Sequence, residues 1–93
     1  MIKKRTVHQH LVETHGFTFL KQVYRHRFYS RTEDNGDTLE VSLYRTTLLT
    51  THVYVIRRNA EGKRVHSQFA SLTSNASLSV IDSAIRREES LAA

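Results

Sequence analysis

Arg25, Arg27, Tyr29 and Arg31 fall on every second residue of one stretch, the period that puts side chains on a single face of a β-strand. Guanidinium groups bind phosphates as planar forks and Tyr rings offer stacking surfaces for bases. With Tyr44 expected across the ladder and Lys21 and the Lys3-Lys4-Arg5 arm nearby, the pattern predicts a non-catalytic Arg/Tyr sheet face that engages RNA or DNA. Tyr and Arg are also favoured anchors of protein interfaces. The alternative expectation is therefore a compact inhibitor or accessory factor, of the type mobile elements or phages encode, docked on an acidic protein surface.

His26 carries the enzymatic alternative. A strand imidazole between Arg25 and Arg27 could take a proton from a ribose 2′-hydroxyl while the guanidiniums hold the phosphate, the outline of a metal-free ribonuclease. No acid/base partner is fixed by spacing, so His26 is a weak catalytic candidate and a structural role is expected for it. His8, His10, His15, His26, His52 and His66 are dispersed, and His8 and His10 project in different directions from a helix. The usual zinc spacings are missing, so no metal site and no cofactor are expected.

Other chemistry is excluded or weak. There is no Cys, which removes disulfides, thiolate nucleophiles and Cys-type metal centres. The three Gly (Gly16, Gly36, Gly62) sit at predicted turns or caps and form no phosphate loop. Glu33, Asp34 and Asp37 read as a solvated hairpin tip, and Arg86-Arg87-Glu88-Glu89 as the wet face of a helix.

The stretch Gly16-Phe17-Thr18-Phe19-Leu20-Lys21-Gln22-Val23-Tyr24-Arg25-His26 resembles the start of HicA-type mRNA interferase toxins, which have a short helix, a Gly-aromatic step, a basic-Gln pair and a strand His. The resemblance covers roughly a tenth of the chain. It implies that His26 matches the catalytic His and that the fold is like a double-stranded-RNA-binding domain. Where the family has a small Gly-Ser step before that His, this chain has Tyr24-Arg25.

These side chains need elements to position them. Thr6 and Gln9 have the form of a capping box and Gly16 of a C′ residue, framing a helix over about Val7 to His15 with Val7, Leu11 and Val12 as its core stripe. Asn35-Gly36 between two strand-like runs signals a hairpin. With those two residues as the loop, Arg31 faces Glu40 and Phe28 faces Leu43, leaving Arg27, Tyr29 and Tyr44 on the other side; a longer loop from Glu33 to Asp37 would shift the register. A second hairpin is expected about Asn59-Ala60-Glu61-Gly62, with Val53 opposite Phe69 and Arg57 opposite Val65. Leu78, Ile81, Ala84 and Ile85 repeat at helical spacing after a Ser77 or Asn75 cap, with Asp82 and Arg86 as an i,i+4 pair. The link 46–50 fits either strand or turn.

The expected fold is α+β: one domain over residues 1–93, with an antiparallel four-stranded sheet of two hairpins flanked by a short N-terminal and a C-terminal helix. Such a sheet leaves edges through which the chain could self-associate. Net charge is +5 over 93 residues, and a domain this size buries about 60–65% of its unfolded surface, which argues against a deep catalytic cleft. The basic character is concentrated in residues 1–31, where seven cations meet one acid, Glu13. With no apolar h-region and no apolar window of about 18 residues, neither a leader nor a membrane partner is expected, and the location read from the sequence is cytoplasmic.

Overall fold

The computed structural model describes residues 6–47, 50–73 and 78–91. Its elements are α1 (Val7–Gln9), a π-helical turn (His10–Thr14), β1 (Thr18–Val23), β2 (His26–Thr32), β3 (Thr38–Arg45), β4 (Thr50–Arg58), β5 (Arg64–Thr73) and α2 (Ser79–Ser90). The strands form one antiparallel meander in the order β1-β2-β3-β4-β5.

The fold is thus α+β with five strands, one more than expected. The additional strand arises because the run from Phe17 to Arg31 folds back on itself. Val23 pairs with His26, so Tyr24 and Arg25 alone make the turn, and Tyr24 takes the left-handed conformation at φ +56°. No Gly, Asn or Pro marks that turn.

The Asn35-Gly36 hairpin forms with a three-residue loop. Glu33 and Asp37 close it, Gly36 N–H donates to the Glu33 carbonyl, and Gly36 supplies the positive φ of +91° that a Cβ-bearing residue resists. His26 therefore pairs with Tyr44, Tyr29 with Val41 and Arg31 with Leu39. This is one residue off the two-residue-loop register, and because strand side chains alternate, the slip exchanges the two faces. The second hairpin closes as expected between Asn59 and Lys63. A bulge at Arg57/Arg58 then moves Val53 opposite Ala70 and Arg57 opposite His66. In the 46–50 link, Thr46 and Thr47 donate backbone N–H groups to the Thr50 carbonyl, and residues 48 and 49 lie outside the described residues.

The core follows from alternation on the two central strands. Leu39, Val41 and Leu43 of β3 and Val53 and Val55 of β4 point to one side, with Tyr29 of β2 and Leu72 of β5. Leu11, Phe17, Ile81, Ala84 and Ile85 cover them. The Thr6/Gln9 capping box is present, Leu11 is buried and Val7 packs at the margin, while Val12 is exposed. α2 forms where the Leu78, Ile81, Ala84, Ile85 spacing predicts a helix; its N-cap is Leu78, and Ser77 and Asn75 lie outside the described residues. No helix among the described residues is long and apolar enough to cross a membrane.

Candidate functional site

The one-residue slip decides where the expected site residues go. Tyr29 is fully buried under the N-terminal segment, its hydroxyl 2.8 Å from His8 Nδ1 and its ring 5.4 Å from that of Phe19. Burial raises the pKa of its phenol, with Arg27 partly opposing the shift. Arg31 lies with its guanidinium 4.8 Å from the Phe17 ring centre, donates to the His15 carbonyl at 2.7 Å and pairs with Glu89 at 3.2 Å. Both side chains are engaged within the fold, Tyr29 buried and Arg31 partly so, and they do not share a face with Tyr44 as the two-residue-loop register would have it. Arg27 is exposed on the same covered side, beside a shallow cleft that Thr6, Val7, His8, Phe19 and Gln22 also line. Arg25 is exposed in the β1–β2 turn, over the Tyr24 ring. Lys3, Lys4 and Arg5 lie outside the described residues.

Among the described residues no helix covers the opposite face of the sheet. Lys21 and Tyr44 belong to it, and so does His26, which the two-residue-loop register would have set opposite Arg45 on the covered side. His26 stacks on Tyr44 at 4.3 Å between ring centroids and lies 5.8 Å from Phe28, with the Lys21 ammonium 5.4 Å from the Phe28 ring centre. Tyr44 is the register partner of His52. His52 in turn meets Phe69 edge-on at 5.1 Å, and Phe69 meets Tyr54 at 5.0 Å. Six rings thus form a row across β2, β3, β4 and β5. Phe69 is 54% and Tyr54 40% exposed. Among the described residues no carboxylate, hydroxyl or second imidazole hydrogen-bonds His26, so the geometry equips it for stacking and supplies no acid/base pair.

The carboxylates are drawn inward, which the sequence reading missed. Arg57 is 3% exposed, with Nη2 2.7 Å from Glu33 Oε1 and Nη1 2.8 Å from Asp37 Oδ2. It also donates to the Glu88 carbonyl, and its Nε lies 3.7 Å from Glu88 Oε2. Burial alone would lower the Arg57 pKa, but Asp37 and Glu33 outweigh it and hold the pKa above its usual value. Glu88 is fully buried and takes His66 Nδ1 at 2.6 Å. Glu33 and Asp37 of the hairpin tip and Glu88 of the helix thus meet in one ion cluster at Arg57, while Asp34, Arg86, Arg87 and Glu89 stay exposed as expected. The signal was available: extending the inner alternation Val53, Val55 by one step puts Arg57 inside, where it needs acids.

Glu40 pairs with Arg58 and Glu89 with Arg31. Asp82 turns away from Arg86 and accepts from His10 and His15, each Nε2 2.6 Å from Oδ1. Burial pushes the Asp82 carboxyl up, and these two hydrogen bonds and the imidazole charges overcome that and hold its pKa below the usual range. Six of the nine acids are consumed in this way by three arginines and three histidines. Lys21, Arg25, Arg27, Lys63, Arg64, Arg86 and Arg87 are exposed and have no carboxylate partner among the described residues. No protein-family model, no curated protein and no solved structure matches the chain.

Proposed function

We propose that this protein is a small non-catalytic binding domain that holds single-stranded RNA or DNA on its open sheet face. The observation that carries the reading is the row Phe28, His26, Tyr44, His52, Phe69 and Tyr54 on the open face, in which Tyr54 and Phe69 are exposed and the other four half-buried. Aromatic rings on an uncovered sheet accept unpaired bases by stacking, with little demand on sequence. The phosphate contribution comes from cations left over once the acids are internalised, with Lys21 on the face itself and Arg25 at its rim. Tyr44 and Lys21 keep their expected roles. Tyr29 and Arg31 give theirs up to the residues on the other side of the strand. A cytoplasmic location is part of the same proposal, as is a preference for unpaired strands, since a duplex hides the base faces that rings need.

The test is fluorescence anisotropy with labelled single-stranded and duplex oligonucleotides across a salt series. Single strands should bind more tightly, with a log–log salt slope of about 0.7 per neutralised phosphate. Salt-independent binding, or none, overturns the reading. Capture of a host protein that survives nuclease treatment, with no oligonucleotide binding, would favour the protein-docking alternative instead.

A further inference from the structure

We propose that His10, His15 and Asp82 form a binding site for a first-row divalent cation, with Zn2+ the best chemical match, that clamps the N-terminal helical segment to α2. The ligand set comes from two distant parts of the chain. Asp82 lies on the first turn of α2, and the histidines lie at either end of the π-helical turn, His15 as its C-cap. That turn is what makes the site. In an α-helix, residues five apart point about 140° away from each other. The wider π-turn, closed by the His15 N–H to the His10 carbonyl, brings both imidazoles to one side. Such turns are rare and concentrate at functional sites.

The three donor atoms, two Nε2 and one carboxylate oxygen, all lie within 4.8 Å of one another. The rings stand at 82° with centroids 5.0 Å apart, so their Nε2 lone pairs can converge from different directions. A tetrahedral Zn2+ with ligands at about 2.0–2.1 Å needs donor atoms about 3.3 Å apart. Each Nε2 now sits 2.6 Å from Asp82 Oδ1, so the carboxylate must withdraw by less than about 1 Å to admit the ion. In the ion-free form the Nε2 atoms donate to Asp82. Binding requires each ring as the Nδ1–H tautomer, so that Nε2 offers its lone pair to the metal. Two His and one carboxylate leave the fourth position to water.

The surroundings favour a bound ion. The side chains are 11% (His10), 13% (His15) and 22% (Asp82) exposed, and Leu11 and Ile81, the chain neighbours of His10 and Asp82, are fully buried. Arg31, which reaches the His15 carbonyl, is engaged there and by Glu89. Neither histidine belongs to the open face, so the clamp stands apart from nucleic-acid binding.

The experiment uses the full chain, freed of metal with a chelator and titrated with Zn2+ alone by calorimetry and thermal melting. One equivalent should bind saturably, and Tm should rise on the order of 10 °C at a hundredfold excess over Kd. His15→Gln and Asp82→Asn should each weaken Zn2+ binding about 100-fold, while His66→Gln should leave it unchanged. Nitrogen NMR of the wild-type imidazoles keeps the test decisive if a variant fails to fold: Zn2+ should move the Nε2 signals of His10 and His15 alone. Absence of saturable binding below about 100 μM, retention of binding in His15→Gln, or signal changes at other histidines instead overturns the site.

Discussion

Arg57 and Glu88 meet on the covered side of the sheet, where the guanidinium donates to the Glu88 backbone carbonyl while its Nε lies 3.7 Å from the Glu88 carboxylate. That contact ties β4 to the last turn of α2. Arg57 also reaches Glu33 and Asp37, so one side chain joins a hairpin loop, a central strand and the C-terminal helix. Arg57 Nε and Glu88 Oε2 are buried without a well-aligned hydrogen bond, so their attraction is Coulombic at low dielectric.

Removing one member of such a cluster strands the rest. Arg57→Ala is expected to lower unfolding free energy by about 3–5 kcal/mol, read from urea denaturation. Arg57→Met combined with Glu88→Leu should cost less than the two single changes added together, because the double change removes the buried charges as a pair. A loss below about 1 kcal/mol for Arg57→Ala would sink this account of the cluster.

Binding should separate the two faces of β2 and β3. Tyr44→Ala and Phe69→Ala are each expected to weaken single-strand binding by about 1–3 kcal/mol, or roughly 5- to 150-fold, in anisotropy titrations. Their melting temperatures should change little, since both rings lie on the open face outside the buried core. Tyr29→Phe should leave affinity intact. The opposite ranking would return the site to the covered face.

The same Tyr29→Phe change tests the buried hydroxyl. It removes the partner of His8 Nδ1 and should cost about 1 kcal/mol of stability by denaturant titration. A neutral result would mean that water replaces the hydroxyl at that imidazole.

Tyr24 is 81% exposed and left-handed. Tyr24→Asn should therefore stabilise the protein by about 1 kcal/mol, because Asn enters that conformation at lower cost and only the exposed contact with Arg25 is lost. Calorimetric Tm should rise; a fall would show that the Tyr24–Arg25 stacking outweighs the backbone term.

The sequence was legible where a local rule decided the outcome. The Thr6/Gln9 box, the Asn59–Gly62 turn and the Ile81, Ala84, Ile85 stripe each depend on neighbours within one or two turns. It was not legible at Tyr24-Arg25, where a left-handed turn forms without a turn-favouring residue. Nor could it set the parity of the 33–37 loop, because Asn35-Gly36 suits a loop of two residues as well as one of three. That single residue moved Tyr29 and Arg31 inside and Phe28 and His26 outside, so the candidate site passed to the other side of the strand. His26, the end of the stretch 16–26, reaches the open face through the register of β2 with β3, in a sheet with one more strand than expected. His10, His15 and Asp82 were opaque for a further reason: a π-turn alters helical phase, and Asp82 lies 67 residues beyond His15.

Because Glu33 and Asp37 precede Arg57 in the chain and Glu88 follows it, the guanidinium meets two of its partners within the sheet and the others only when the helix docks. A helix that lifts away therefore leaves strand and hairpin still joined by this one side chain, so the meander can hold its shape while the layer above it opens.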